Sequence, residues 1–175
     1  MGAERLRAMV ISAVMAALAL TLPPAFHAVG LGSKFLPMLL PLLLNGFLSP
    51  VGWAAGTGLL IPWVSAFATG MPPLYPPVAA VVSAEAAVMA GLAASLYRGG
   101  GRSLWVALGP AVIAGRLVAF SLTWILALAF GLPPAVSAVA ATVEGLPGVA
   151  LQLAVVPAVL HVVSRRPGLL LQDKS

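Results

Sequence analysis

The chain has 175 residues, of which 61% are hydrophobic and 7% are charged, and it carries a net charge of +5. Soluble domains carry about a quarter of their residues as charged side chains, so this composition excludes a soluble globular protein and indicates an integral membrane protein. The chain has no cysteine, which excludes disulfides and thiolate metal sites. The basic residues flank apolar runs and share no polar face, so we expect no nucleic-acid partner.

Six apolar segments predict an all-α bundle of six transmembrane helices. A helix needs roughly 20 residues to cross a hydrocarbon core about 30 Å thick, at a rise of about 1.5 Å per residue. In chain order, we predict spans over about residues 6–22, 34–48, 50–68, 78–97, 104–130 and 135–163. The longest connections are two proline-containing loops, 23–33 and 69–77. No soluble stretch is long enough for another domain, so we expect residues 1–175 to form a single membrane domain.

Two of these segments admit a second interpretation. The first follows Arg5 and Arg7 and could be a secretory signal, but no small-x-small cleavage site follows Leu22. The second is short and contains Pro37 and Pro41, so it could be re-entrant instead of spanning. We predict that both segments span the membrane, because the positions of the basic residues then agree with one orientation.

The basic residues lie at alternate ends of the six segments. If both termini are cytoplasmic, the bases at the cytoplasmic ends are Arg5, Arg7, Arg98, Arg102, Arg165, Arg166 and Lys174. Lys34 falls at an outer end. Because cytoplasmic loops carry an excess of Lys and Arg, we predict a multi-pass protein of the cell inner or plasma membrane with the N- and C-termini cytoplasmic. Its spans then face membrane lipid.

Three charged residues lie inside the predicted spans at a similar depth. Counted from the outer ends at about 1.5 Å per residue, Glu85 lies about 10 Å deep, Arg116 about 12 Å and Glu144 about 13 Å. Asn45 lies at roughly 16 Å. An isolated charge at this depth costs several kcal/mol, so such side chains pair or line a cavity. Two interpretations remain: an ion triad that only joins the helices, or a polar cavity that opens to the outside and takes a small solute. The irregular stretch 145–148 favours the cavity, since irregular backbone is tolerated at depth where it lines one.

Residues near the outer surface are further candidates for ligand contact. His27 lies in the first outer loop, where it either contacts a ligand or is solvated. Lys34 either binds an anionic group or extends along the helix end to the interface. If His27 and Met38 face one cavity, a metal-containing tetrapyrrole such as cobalamin or haem is conceivable. We otherwise expect no cofactor and no metal site, since thioether ligands would need further partners.

Four short motifs follow one another in order across the six spans. They are Ala13-Val14-Met15-Ala16-Ala17-Leu18-Ala19, Thr69-Gly70-Met71-Pro72-Pro73, Gly115-Arg116, and Gly145-Leu146-Pro147-Gly148 continuing through Gln152 to Pro157. In their order and spacing the chain resembles, over nearly its whole length, the substrate-binding S component of energy-coupling factor (ECF) transporters. These are small six-helix proteins that capture vitamins and other trace nutrients.

The resemblance implies a binding subunit of an ATP-driven importer. Such a subunit captures a vitamin or similar micronutrient from outside and docks onto an ECF module, which is a transmembrane coupling subunit with two ATPases. By the family's pattern, Ala13 and Ala17 contact the coupling subunit, and the loops 23–33 and 69–77 close over the substrate. The candidate substrate-binding residues are then His27, Lys34, Asn45, Met71, Tyr75, Glu85, Arg116 and Glu144. No residue set matches a thiamin, riboflavin or biotin signature, so the substrate stays open.

Two other classes of protein remain as alternatives. A stand-alone proton- or ion-coupled carrier or channel would use Glu85, Arg116 and Glu144 as a relay. A membrane enzyme is the weaker alternative, because the sequence has no metalloprotease histidine pair and no serine nucleophile motif. The chain also has no Walker-type glycine loop, so we expect ATP hydrolysis to take place in partner subunits.

Overall fold

A computed structural model describes residues 2–28, 30, 32–75 and 77–165. Within these ranges the chain forms eight α-helices and one π-helical turn. The helices are α1 (Gly2–Ala28), α2 (Gly32–Phe35), α3 (Leu39–Leu48), α4 (Val51–Thr69), α5 (Val78–Ala94), α6 (Leu104–Ala129), α7 (Pro134–Glu144) and α8 (Leu146–Ser164), and the π-helical turn Ser95–Gly99 extends α5. Arg166 and Lys174, two bases that were assigned to the cytoplasmic face, lie outside the described residues.

Five stretches among the described residues are long and apolar enough to cross a membrane. They are Gly2–Ala28, Val51–Thr69, Val78–Gly99, Leu104–Ala129 and Pro134–Ser164. The remaining predicted span corresponds to α2 and α3, of which α3 has ten residues. The prediction of an all-α membrane protein built from these segments is therefore confirmed.

The first helix is longer than the sequence predicts. A loop was expected from residue 23, but α1 continues through Pro23 and Pro24 to Ala28, so this expected boundary is wrong. Each proline removes one backbone hydrogen bond within the helix, which normally favours a break. Contacts at the end of α1 favour its continuation: the Phe26 ring lies 6.0 Å from the Phe35 ring. A buried aromatic contact with α2 thus holds the last turn in helical form.

The second segment is broken and buried inside the bundle. Leu36 adopts a positive φ of 47°, which bends the chain between α2 and α3. Nine of the ten residues of α3 are buried, and at about 1.5 Å per residue α3 covers about 15 Å, half of a hydrocarbon core. Its far end reaches α1 again, where the Ser12 hydroxyl donates to Ser49 Oγ at 3.2 Å. The segment therefore runs antiparallel to α1 as an internal element with little contact with lipid.

Glycines bring two neighbouring helices onto α5. A Cβ placed on Gly58 of α4 would lie 2.7 Å from the carbonyl oxygen of Ala86, and one placed on Gly46 of α3 would overlap the α5 backbone. Small residues permit this close approach in membranes, where van der Waals packing holds helices together. Helix α5 also packs along α6. It is thus the central helix, and the side of α5 that faces α6 carries Glu85.

Candidate functional site

An ion pair joins α5 to α6 in the interior of the bundle. Glu85 Oε1 and Arg116 Nη2 form a salt bridge between side chains that are 3% and 16% exposed, respectively. The residue before the arginine permits the contact, because a Cβ placed on Gly115 would lie only 3.1 Å from Met89 Cβ. The absent side chain at this position lets the two helices approach closely. The two charges compensate each other where neither could be solvated alone.

A cavity of about 270 Å³ lies against this ion pair, between α5, α6 and α7. Helix α5 contributes Val78, Val81, Val82 and Glu85, at the spacing of three and four residues that defines one helical face. Helix α6 contributes the face that begins at Arg116 and rises through Phe120, Thr123 and Ala127 to Phe130. The charged groups therefore lie at one end of the cavity, and apolar side chains form most of its walls.

The opposite end of the cavity lies among the first turn of α5, the last turn of α6 and the connection to α7. Pro77, Phe130 and Leu132 line it there. Tyr75 is 79% exposed and packs edge-on against Phe130, with ring centroids 5.3 Å apart and an interplanar angle of 88°. Tyr75 does not line the cavity itself. It contacts a residue that does, so the second long loop reaches the mouth through this aromatic pair.

The break between α7 and α8 holds the arginine from the other side. A Cβ placed on Gly145 would lie 2.7 Å from Arg116 Nη1 and 3.1 Å from Leu36 Cδ1. Leu36, whose positive φ bends the second segment, also lines the cavity. The guanidinium is therefore confined between the α7–α8 break, the α2–α3 bend and Glu85. Two irregular stretches of backbone thus meet at the charged end of the cavity.

We predict that Gly145→Val lowers ligand affinity about tenfold or more, because its side chain would displace the guanidinium, and overpacking of this kind costs about 1–3 kcal/mol. Gly109→Val is the matched control, since a Cβ at Gly109 meets nothing within 4 Å. Affinity is measured by calorimetry on the detergent-purified protein with a compound that the wild-type protein retains. Equal affinity in the Gly145 variant and the wild type would show that the α7–α8 break does not position Arg116.

Asn45 takes part in a different polar cluster. Its side chain is fully buried, accepts a hydrogen bond from the Ser12 hydroxyl at 3.2 Å and donates to Thr57 Oγ1 at 2.7 Å. Ser12 also donates to Ser49, so the cluster connects α1, the end of α3 and α4. Asn45 does not line the cavity. Its hydrogen bonds satisfy polar groups where these helices cross.

The structure does not bring four other predicted residues to the cavity wall. Glu144, the last residue of α7, has an exposed side chain and forms no ion pair with Arg116. Lys34 of α2 is exposed. Met71 is 45% exposed, and its carbonyl accepts a hydrogen bond from Ser65 Oγ at 2.6 Å. His27 is exposed at the end of α1, where its ring packs against Gly32. Of the eight candidates, the structure joins Glu85 and Arg116 at the cavity and places Tyr75 at its mouth.

The tetrapyrrole hypothesis required His27 and Met38 to face one cavity. Met38 is 6% exposed and belongs to the hydrophobic core, whereas His27 is exposed at the end of α1. Neither residue lines the cavity between α5, α6 and α7. The residues present therefore do not support axial ligation of a metal tetrapyrrole at this site.

Several lining residues were not among the sequence candidates. Phe120 and Thr123 lie four and seven residues after Arg116, so the helical period alone could have indicated them. Ser137 and Thr142 of α7 also line the cavity, and the Thr142 hydroxyl donates to the Ala138 carbonyl at 2.8 Å. Hydroxyl residues are common in apolar helices, so nothing in the sequence distinguishes these two.

Ala13 and Ala17 lie on the exposed side of α1. The buried side of this helix carries Ala8, Ser12 and Ala19, which pack toward the bundle. Val10 and Val14 are about half exposed on the same side as the two alanines. The small side chains therefore leave a shallow depression on a surface of larger apolar residues.

Comparison with known proteins gives one match. The family model described as "ECF transporter, substrate-specific component" matches residues 7–160. Neither the curated proteins nor the solved structures compared with the chain give a match.

Proposed function

The chain belongs to the substrate-specific component family of ECF transporters, and from this membership we propose that the cavity between α5, α6 and α7 holds the transported compound. Members of this family are transport binding subunits, not enzymes, and the membership replaces the alternative of a stand-alone carrier or channel. One observation carries the assignment: the Glu85–Arg116 pair lies at the end of a cavity whose other walls are mostly apolar. A pocket of apolar walls with a few convergent polar groups is the usual form of a small-molecule site.

The transported compound is a vitamin or similar micronutrient that enters from outside the cell. In this orientation both termini are cytoplasmic, and the cavity opens toward the outer surface. The basic residues support it: Arg98, after α5, lies within electrostatic range of Arg7 and Glu4 near the start of α1. These residues gather at the end of the bundle opposite the cavity mouth, as the excess of positive charge on cytoplasmic loops requires.

The segments 23–33 and 69–77 close over the bound compound. Support comes from Tyr75, which packs on Phe130 at the mouth, and from Pro77, which lines the cavity. In the first segment the residues up to Ala28 are helical, so it covers the site as the end of α1 together with α2. Closure then reshapes a helix end on one side and a proline-containing loop on the other.

Transport requires an ECF module, with a transmembrane coupling subunit and two ATPases. The S component contacts the coupling subunit through Ala13 and Ala17 on the exposed side of α1. The exposure of both alanines supports this assignment, because small residues on a lipid-facing surface allow another helix to approach closely.

We predict that Val82→Trp abolishes capture of the compound, because the indole would fill the cavity one turn from Glu85. The wild-type protein, incubated with a water-soluble yeast extract and desalted, should retain at least one small compound detectable by mass spectrometry. Val88→Trp is the matched control on the same helix, since Val88 is 38% exposed and does not line the cavity. Retention by the Val82 variant equal to that of the wild type would place the site elsewhere.

A further inference from the structure

The charges of the cavity balance without a ligand. Among the described residues that line it, Glu85 and Arg116 alone are ionisable, and they are paired. A ligand carboxylate that replaced Glu85 on Arg116 would leave Glu85 buried without a partner. A ligand cation that paired with Glu85 would leave Arg116 in the same condition. Burial of an unpaired charge costs several kcal/mol, so the cavity disfavours ions of either sign.

The two members of the pair differ in what they offer a ligand. Glu85 is 3% exposed, whereas Arg116 is 16% exposed. The guanidinium has five N–H donors and no acceptor, and its Nη1 side is confined by Gly145. The hydrogen-bonding capacity at this end of the cavity is therefore that of a donor. It matches an acceptor such as an amide, urea or ring carbonyl oxygen.

The remaining walls suit a small compound with a ring. The volume of about 270 Å³ is slightly below the range of roughly 300–1,000 Å³ that is typical of pockets for drug-sized ligands. Phe120 and Phe130 line the cavity and offer aromatic faces and edges to a planar group. Thr123 and Ser137 are the hydroxyl groups available for additional hydrogen bonds.

We infer that the transported compound is uncharged at neutral pH and has an apolar ring body with one carbonyl-bearing head group that accepts hydrogen bonds from Arg116. This inference rests on the proposed function, since it concerns the same cavity. It excludes carboxylates, phosphorylated vitamins and cations as preferred substrates. A zwitterion is also excluded, because it would have to insert between two side chains that are in direct contact.

The first experiment uses benzamide and benzoate, two ring compounds that differ only in the head group. Binding to the purified full chain is measured by saturation-transfer NMR, and Val82→Trp defines the signal that does not come from the cavity. We expect the wild-type protein to bind benzamide at least tenfold more tightly than benzoate. Glu85→Gln should reverse this preference, because Arg116 then carries an unpaired charge. The double variant Glu85→Gln/Arg116→Gln, which is again balanced, should not bind benzoate even if the single variant folds poorly.

Equal or tighter binding of benzoate by the wild-type protein would overturn the inference, and so would binding of neither fragment in the cavity. The second experiment assigns the charge of every compound that the wild-type protein retains from the yeast extract and the Val82 variant does not. An uncharged ring compound supports the inference, whereas an ion, a zwitterion or an acyl lipid overturns it.

Uptake into vesicles that contain the ECF module separates this inference from the proposed function. An anion that is retained and then taken up with ATP would overturn the substrate class and leave the proposed function intact. An uncharged compound that is retained but not taken up with ATP would overturn the proposed function and leave the substrate class intact.

Discussion

Replacement of Glu85 by leucine is expected to destabilise the folded bundle by about 3–5 kcal/mol, because Arg116 would remain in the interior without its partner. The side chain of Arg116 is confined by Gly145 and Leu36, so it has little freedom to reach water. The measurement is the free energy of unfolding of the purified protein in mixed detergent and denaturant. Arg116→Leu alone should have a smaller or similar effect, since it leaves a buried carboxylate that can be neutralised by a proton.

The double variant Glu85→Leu/Arg116→Leu is the control for this prediction. Replacement of a buried ion pair by apolar residues is often neutral for stability, so most of the lost stability should return. Capture of the substrate should not return, because the double variant lacks the donor group of the cavity. If Glu85→Leu alone is as stable as the wild type, the pair does not compensate charge in the way proposed. If the double variant still captures substrate, the pair is not part of the site.

Ala13→Trp and Ala17→Trp are expected to reduce ATP-dependent uptake to background while substrate affinity stays within a factor of two of the wild type, which is about 0.4 kcal/mol. Both alanines lie on the exposed side of α1, away from the cavity. An indole at either position would separate α1 from the coupling subunit, because close helix packing in membranes depends on small residues. Uptake is measured in vesicles that contain the ECF module, and affinity is measured on the isolated chain.

Helix α8 offers a matched control for these substitutions. Ala154 and Ala158 have the same four-residue spacing and are also exposed. Ala154→Trp and Ala158→Trp should therefore leave uptake unchanged if the coupling contact belongs to α1. Normal uptake by the Ala13 and Ala17 variants would show that α1 is not the coupling surface. Loss of affinity in the same variants would instead assign α1 a part in the site.

The limits of most helices follow from local properties of the sequence. Predicted spans 50–68 and 104–130 correspond to Val51–Thr69 and Leu104–Ala129 in the structure. Apolar length and flanking turn residues determine where a helix can lie in a bilayer, so these ends needed no knowledge of neighbours. Pro23 and Pro24 are the exception. They predict a helix end, but the packing of Phe26 on Phe35 keeps α1 helical to Ala28.

Depth along a helix can likewise be counted from the sequence, but the direction of a side chain around the helix axis cannot. Counting placed Glu85, Arg116 and Glu144 in one layer. In the structure the first two meet, whereas Glu144 is exposed on α7. Asn45 is buried but directed toward Ser12 and Thr57. The rotation of each helix is set by the neighbour against which it packs, and the small residues that decide this are common throughout the chain.

The sequence by itself thus determined the membrane class, most spans and, through resemblance of four motifs, the transporter family. These features depend on composition, on periodic hydrophobicity and on short motifs, all of which are local. The tertiary structure decided that Glu85 and Arg116 form one balanced pair, that Gly145 and Leu36 confine it, and that apolar faces of α5 and α6 enclose the cavity beside it. The physical reason is that the charge balance and shape of a cavity depend on groups from several helices. Only their packing brings these groups together.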